Sequence, residues 1–248
     1  FETYKHFFPD LLGSARQHST NNLYIDMCNP DISAFKLAEK GYTEAIIAAA
    51  ITNFKLCENE KEYTRQINVE GTLELARQFH KEGLKVIFFS SESVFDGIIG
   101  GYSDDVSVNP IFEYGRQKAE VEQRLPETCK GHCLIARIGK TFGLKKGDNT
   151  LLDEMAKKLI EDKPIRALTE QIFCPTLVDD TVQAVMMLQK KGTTGITNVC
   201  SPEIWSRFNL AIELSKYLNK DIYLVQPMSF EDFNDNFHRP KRTNMICN

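Results

Sequence analysis

The stretch KVIFFSS, residues 85–91, has four consecutive apolar residues followed by two serines. Two further stretches are almost continuously apolar: EAIIAAAI at 44–51 and CLIARI at 133–138. A strand that is covered by helices on both faces has no solvent-facing side, whereas a half-exposed antiparallel strand alternates apolar and polar residues. These stretches therefore predict buried strands of a parallel sheet in a doubly wound, Rossmann-like α/β fold.

Segments with the helical period separate further short apolar runs along the chain. Strands are predicted at 11–14, 23–26, 45–50, 86–90, 133–137 and 196–199, and helices at 60–81, 114–125, 151–161, 179–189 and 208–218. The stretch GLKKGDN, residues 143–149, breaks this periodicity. We therefore expect one domain over 1–143, and over 144–248 a mixed segment that forms a small lobe and also returns elements to the core sheet.

The composition excludes several classes of protein. The 248 residues are 42% hydrophobic, enough for a full core, and the net charge of −4 gives no basic footprint for nucleic acid. The seven cysteines are scattered and odd in number, so they predict neither a zinc site nor a disulfide framework. Since no apolar stretch approaches the roughly 20 residues that cross a bilayer, a soluble cytoplasmic protein with no metal and no membrane contact is expected.

Two chemical groups lie four residues apart on a predicted helix. Tyr114 and Lys118 project from one helix face, so the ammonium can favour the phenolate of a side chain whose ordinary pKa is about 10. The hydroxyls of Ser90 and Ser91 follow a buried strand, at the sheet edge where open α/β folds bind ligands. Strand end and helix can therefore converge on one reacting atom.

These segments carry a resemblance to a known family. The stretches FFSSESVFDG (88–97) and NPIFEYGRQKAEVE (109–122) resemble the active-site region of extended short-chain dehydrogenases, most closely the dTDP-4-dehydrorhamnose reductase-like subgroup. The segments at 48–72, ARIGKTFG (136–143), FCPTLVDD (173–180) and RPKR (239–242) resemble its other landmarks. The resemblance implies reduction of a 4-keto nucleotide sugar by a nicotinamide cofactor, with residues 1–143 as dinucleotide-binding domain, the later lobe binding substrate, and a homodimer.

The same resemblance implies roles for individual residues. Tyr114 would donate the proton, Ser91 would bond the same keto oxygen, and Lys118 would hold the nicotinamide ribose. The implied cofactor contacts are Arg16, Asp26, Met27, Ala49, Ala50, Thr52, Ser90, Tyr114 and Lys118, with Asn68 as a weaker addition. The implied substrate contacts are Ser93, Val94, Phe95, Lys140, Asn149 and Arg239. No carboxylate follows the strand predicted at 11–14, which favours NADP over NAD.

The sequence also departs from the subgroup. The Gly-rich phosphate-binding turn and its strand are missing, and the chain begins without Met, so we expect that the sequence omits an N-terminal piece and a C-terminal helix. Ser93 and Lys140 stand where rhamnose-type reductases usually have Tyr and Trp. The alternatives are a nucleotide-sugar epimerase or epimerase/reductase, and a non-catalytic NADP-binding protein like the regulatory subunit of methionine adenosyltransferase.

Several of these residues also have an ordinary structural interpretation. Ser90 and Ser91 could cap a strand end, and Asp26 could close an Asx turn. The alanines at 49 and 50 could merely permit close helix packing, and Thr176 could only cap a helix. The ordered co-occurrence of the segments favours the functional interpretation over any single residue.

Overall fold

The computed structural model describes residues 2–8, 10–15, 22–232 and 239–247, and its centre is a parallel four-stranded sheet. The strand order is β10-β5-β4-β3, formed by β3 (Glu44–Ile47), β4 (Lys85–Ser91), β5 (Cys133–Ile138) and β10 (Gly195–Val199). In the register of the sheet Ile87 lies opposite both Ile46 and Leu134. The predicted α/β fold with a parallel sheet is confirmed.

Both faces of this sheet are covered, which explains the continuous apolar runs. On β4, Val86 and Phe88 pack into one cluster with the helices that follow β3 and β4. Ile87 belongs to a second cluster on the opposite face, with Val182 and Val185 of a later helix. Because consecutive side chains of a strand point to opposite faces, a strand buried on both sides needs apolar residues at every position.

The helices follow the predicted pattern closely. They are α1 (Glu2–Phe7), α2 (Phe54–Asn59), α3 (Lys61–Arg65), α4 (Thr72–Lys81), α5 (Glu113–Thr128), α6 (Leu151–Ile160), α7 (Val178–Lys190) and α8 (Arg207–Tyr217). A π-helical segment, Gln66–Gly71, joins α3 to α4. The helix predicted at 60–81 is therefore one helical stretch, and Gly83 follows it with a φ of 85°, a left-handed conformation that favours glycine.

The observed ends of several strands differ from the predicted ones. The strand predicted at 45–50 ends at Ile47, where its pairing with Phe88 of β4 also ends, and the alanines at 48 and 49 are exposed. The strands predicted at 11–14 and 23–26 shift by one or two residues to β1 (Gly13–Ala15) and β2 (Asn22–Tyr24). These two strands pair in parallel as a separate ladder.

Helices and strands after residue 143 form a separate apolar cluster. Its strands β7 (Ile165–Leu168) and β12 (Val225–Met228) pair in parallel and pack with α6 and α8. Further short strands are β6 (Lys140–Phe142), β8 (Ile172–Phe173), β9 (Pro175–Leu177) and β11 (Trp205–Ser206). The strand β10 joins the central sheet, and α7 covers one of its faces.

Within the described ranges, none of the helices has the length and apolarity of a membrane-spanning segment.

Candidate active site

The end of β4 places Ser91 beside a cleft. The Ser91 Oγ–H donates to Ser93 Oγ at 3.1 Å, and the same Oγ accepts the Ser93 N–H at 3.2 Å. The second bond caps the 3₁₀ turn Glu92–Val94, so the strand ends in a tight turn rather than a long loop. This turn holds three consecutive polar side chains, residues 91–93, against the cleft.

Two features fix the start of α5 next to this turn. The carboxylate of Glu58 accepts the Glu113 N–H at 2.7 Å, which satisfies one of the free donors at the helix N-terminus. At Gly115 a Cβ atom would lie 2.1 Å from the backbone oxygen of Ser93. Only glycine permits so close an approach, and this contact places Tyr114 at the end of β4.

The Tyr114 side chain is buried and lines the cleft. It is 7% exposed, and its ring centroid lies 5.3 Å from that of Phe54. Burial raises the pKa of the Tyr114 phenol above its ordinary value, whereas a hydrogen bond to Ser91 lowers it. The phenol is therefore protonated at neutral pH in this structure and available as a proton donor.

Lys118 lies one helical turn further along α5. Its Nζ donates to the Phe89 backbone oxygen at 2.8 Å and lies 5.8 Å from the ring centroid of Tyr114. Burial lowers the Lys118 pKa to about 7, and the charge of Glu122 opposes this shift. The structure thus brings Ser91, Tyr114 and Lys118 together, although the chain separates them by up to 27 positions, from 91 to 118.

The loop after β3 lies at the same edge of the sheet, and hydrogen bonds from the Asn68 side chain hold it there. The amide of Asn68 accepts the Ile51 N–H at 2.7 Å and donates to the Ile51 oxygen at 3.0 Å. It also donates to Gln117 on α5 at 2.8 Å. Asn68 is almost fully buried, so it positions the loop that presents Ala49, Ala50 and Thr52.

Of the three cofactor contacts predicted nearer the N-terminus, the structure describes two, and these have different surroundings. Asp26 Oδ1 accepts the Cys28 N–H at 3.0 Å, the Asx turn that its ordinary structural interpretation requires. Met27 is half-buried and packs against the core cluster on the face of α4. Arg16 lies outside the described residues.

Three predicted contacts must be corrected. Ser90 is buried on the side of the sheet away from Ser91, and its hydroxyl donates to Glu122, which also binds Arg137. Val94 and Phe95 are fully buried in a cluster around Tyr102, and the Phe95 ring stacks on that tyrosine. Their side chains do not line the cleft, because Ser90 alternates with Ser91 on the strand and the apolar Val94 and Phe95 side chains turn into the cluster around Tyr102.

The cleft has a volume of about 450 Å³. Of the residues predicted to contact cofactor or substrate, Thr52, Ser93, Tyr114, Lys140, Asn149 and Arg239 line it, together with Ser91. Among the described residues, no group of three or more His, Cys, Asp or Glu side chains is arranged to hold a metal ion.

Glu92 is a cleft residue that the sequence reasoning missed. Its Oε2 is sealed from solvent and, within the described part of the chain, has no hydrogen-bond partner. Burial raises the Glu92 pKa to about 7, while the charge of Lys140 lowers it. Its position between Ser91 and Ser93 was the available signal, since every residue of a short turn at a strand end can reach the ligand edge.

Arg207 is a second cleft residue that the sequence did not predict, because its helix begins one residue earlier than predicted. It is the first residue of α8, which Ser206 caps by accepting the Asn209 N–H at 3.0 Å, and the predicted helix began one residue later. Burial and the nearby charge of Arg239 both lower the Arg207 pKa, against the opposing charge of Glu154. Lys140, Arg207 and Arg239 thus give the cleft three basic side chains among its lining residues.

Comparison with known proteins agrees with this architecture. The model of the RmlD substrate binding domain matches residues 14–248. A dTDP-4-dehydrorhamnose reductase of Aggregatibacter actinomycetemcomitans is 28% identical over 175 residues, covering 70% of this chain and 58% of that protein. The chain thus spans less than two thirds of that relative.

Two further similarities are informative. The methionine adenosyltransferase 2 subunit beta of Xenopus tropicalis is 28% identical over 215 residues, covering 81% of this chain and 63% of that protein. The crystal structure of dTDP-4-dehydrorhamnose reductase from Bacillus anthracis, in complex with NADP, superposes with a TM-score of 0.84 at 25% identity, covering 99% of this chain and 87% of that one.

Proposed function

The chain belongs to the RmlD substrate-binding domain family, and on that premise we propose that it reduces a 4-keto nucleotide sugar with NADPH. The observation that carries the proposal is the convergence of Ser91 and Tyr114, which both line the cleft, with the buried Lys118 one helical turn behind Tyr114. The similarity to named reductases, one of them in complex with NADP, supports it.

We assign the proton chemistry to two hydroxyls. Tyr114 is protonated at neutral pH because burial raises its pKa, so its phenol can donate a proton to a keto oxygen. Ser91 lies beside it, and rotation of its hydroxyl away from Ser93 Oγ lets it donate a second hydrogen bond to the same oxygen, which stabilises the negative charge that develops there. The Lys118 ammonium, 5.8 Å from the phenol ring centroid, favours the phenolate that remains.

The residues around this centre fit a nicotinamide cofactor. Lys118 uses one N–H group on the Phe89 oxygen and retains two for ribose hydroxyls. Ala49 and Thr52 are exposed at the same sheet edge, on the loop that Asn68 holds, with Met27 and Asp26 further along. When bound, the reduced nicotinamide supplies the hydride. NADP is favoured because no acidic residue ends β1, and NAD stays possible.

Two arginines of the cleft suit an anionic substrate. Arg207 and Arg239 lie near each other, and guanidinium groups bind diphosphate oxygens through pairs of hydrogen bonds. Glu92, Ser93 and Lys140 lie next to Ser91 and would contact the sugar. By resemblance, Ser93 and Lys140 replace a Tyr and a Trp of rhamnose-type reductases, so we propose a sugar other than 4-keto-rhamnose.

We further propose that the chain divides near residue 143 into a dinucleotide-binding part and a mainly substrate-binding part. The separate apolar cluster of α6, α8, β7 and β12 supports this division. Arg207 and Asn149 come from the second part, whereas Ser91 and Tyr114 come from the first. The predicted homodimer and the cytoplasmic location stay predictions.

The test is turnover of the full chain with a panel of nucleotide-linked 4-keto sugars. We expect oxidation of NADPH at 340 nm with at least one of them. Tight NADPH binding without oxidation across the panel would instead support a regulatory subunit, the function that the methionine adenosyltransferase relative suggests. Incorporation of solvent deuterium next to the keto carbon would identify an epimerase or an epimerase/reductase.

A further inference from the structure

Three cysteines that are far apart in the sequence meet at the carboxyl end of β10. Cys200 follows that strand directly, Cys174 lies between β8 and β9, and Cys247 belongs to the segment 239–247. The Sγ atoms of Cys200 and Cys247 are 2.8 Å apart. The Sγ atoms of Cys174 and Cys200 both lie close to the Met245 backbone oxygen, at 3.7 Å and 3.6 Å.

The contact between Cys200 and Cys247 is also fixed by the backbone. The Cys200 N–H donates to Cys247 Sγ at 3.0 Å, and the Cys247 thiol can donate to the Cys200 oxygen at 3.3 Å. A disulfide bond is about 2.05 Å long, so a small movement of one side chain brings the two sulfur atoms to bonding distance. No unfolding of the surrounding strands is required.

The two thiols have complementary reactivity. Cys247 is exposed, and the hydrogen bond from the Cys200 thiol lowers the pKa of Cys247. Cys200 is partly buried, and its position as donor to the two neighbouring thiols raises its pKa. Because the thiolate is the nucleophile, Cys247 is the group that reacts first with an oxidant.

We propose that Cys200 and Cys247 are a modification site, a reversible disulfide that forms when the protein meets a peroxide. The Cys247 thiolate attacks a peroxide oxygen, the O–O bond breaks, and a sulfenic acid and hydroxide result. Cys200 then attacks the sulfenic sulfur, an S–S bond forms, and water leaves. Two thiols lose two electrons in total, and hydrogen peroxide is reduced to two molecules of water.

The disulfide would fasten a wall of the cleft. Segment 239–247 contributes Arg239, Pro240 and Thr243 to the cleft lining. In the reduced chain backbone hydrogen bonds hold the segment, among them Arg242 N–H to Gly97 oxygen and Thr243 N–H to Ile172 oxygen, both at 2.8 Å. The covalent bond adds an anchor between Cys247 and β10, so oxidation stabilises this wall whether or not the chain is a reductase.

The test is intact-mass analysis and peptide mapping after treatment with hydrogen peroxide. The oxidised chain should lose two hydrogens, about 2 Da, and give one cross-linked peptide pair that contains Cys200 and Cys247. Dithiothreitol should restore the original mass. The oxidised form should also unfold at a temperature higher by about 5 °C, since the bridge closes a loop across 47 positions.

Variants separate this site from general oxidation. Cys200→Ser and Cys247→Ser should each abolish the cross-linked pair and the rise in unfolding temperature, while Cys28→Ser, at a half-buried thiol on another part of the fold, should change neither. Each variant is first compared with the parent chain by thermal unfolding in the reduced state. A bridge between Cys174 and Cys200, or stepwise addition of oxygen to Cys247 without a bridge, would overturn the proposal.

Discussion

At the residue scale, burial sets the protonation of three neighbouring groups. Tyr114 is held as a phenol, and the pKa values of Lys118 and Glu92 both move to about 7, from opposite directions. Burial disfavours the charged form of every group, so it raises the pKa of an acid and lowers that of an amine. At neutral pH Tyr114 therefore keeps its proton, while Lys118 and Glu92 can each gain or lose one.

The raised pKa of Glu92 predicts a pH-dependent stability. Below pH 4.5, its ordinary pKa, the carboxyl is protonated in both the folded and the unfolded chain; as the pH rises through about 7, the folded chain must bury a charge. Glu92→Gln removes this cost, and we expect its free energy of unfolding to exceed that of the parent chain at pH 8 by about 1–3 kcal/mol.

Urea unfolding at pH 5 and at pH 8 measures this difference. At pH 5 the two proteins should differ by less than at pH 8, because the parent carboxyl is then largely neutral. A stability difference that does not grow between the two values would show that Glu92 is not buried as a neutral acid.

A second prediction concerns Arg207. If it binds the diphosphate of a nucleotide sugar, Arg207→Ala should raise KM about tenfold, the loss of one charged hydrogen-bonded contact, and leave kcat within a factor of about 3. Steady-state kinetics on an accepted substrate measures both constants. Arg77, an exposed residue paired with Glu74, provides the matched control, since Arg77→Ala should change neither.

At the scale of elements, the site depends on how closely α5 packs against the turn after β4. Long strands and helices could be predicted from the sequence, since burial on two faces and the helical period each leave a pattern over many residues. The pairs β6 with β9 and β8 with β11 could not, because strands of two or three residues have no period and are formed by contacts distant in sequence. Arg207 was missed at such a boundary.

The close packing of α5 makes a prediction at Gly115. A methyl group there would meet the Ser93 oxygen at 2.1 Å, so Gly115→Ala must displace α5 or the turn. We expect a loss of about 2–4 kcal/mol in the free energy of unfolding, and a fall in turnover beyond what the lower stability explains.

The exposed Arg116 on the same helix gives the comparison variant. Arg116→Ala should cost less than about 1 kcal/mol, because its ion pairs with Glu58 and Glu113 lie at the surface. Denaturant unfolding of Gly115→Ala and Arg116→Ala measures the two losses in the free energy of unfolding. Equal stabilities for the two would mean that α5 does not require the glycine.

At the scale of the whole molecule, the parallel sheet gathers residues from distant parts of the chain at one edge. The sequence could predict this for Ser91, Tyr114 and Lys118, because a strand end, a four-residue spacing and a family resemblance coincide there. It could not predict Arg207, which shares no motif with the other basic cleft residues, Lys140 and Arg239, and lines the cleft because α8 packs in the separate apolar cluster after residue 143. Ser90 was misassigned because adjacent strand residues face opposite sides.

The proposed function depends above all on delivery of a proton from Tyr114 to a bound keto sugar. Its most direct test is Tyr114→Phe, which keeps the ring packed against Phe54 and removes only the hydroxyl. We expect NADPH oxidation with an accepted 4-keto sugar to fall by a factor of about 10² to 10⁴, while the Kd for NADPH changes by less than about twofold. Turnover by Tyr114→Phe at the rate of the parent chain would contradict it.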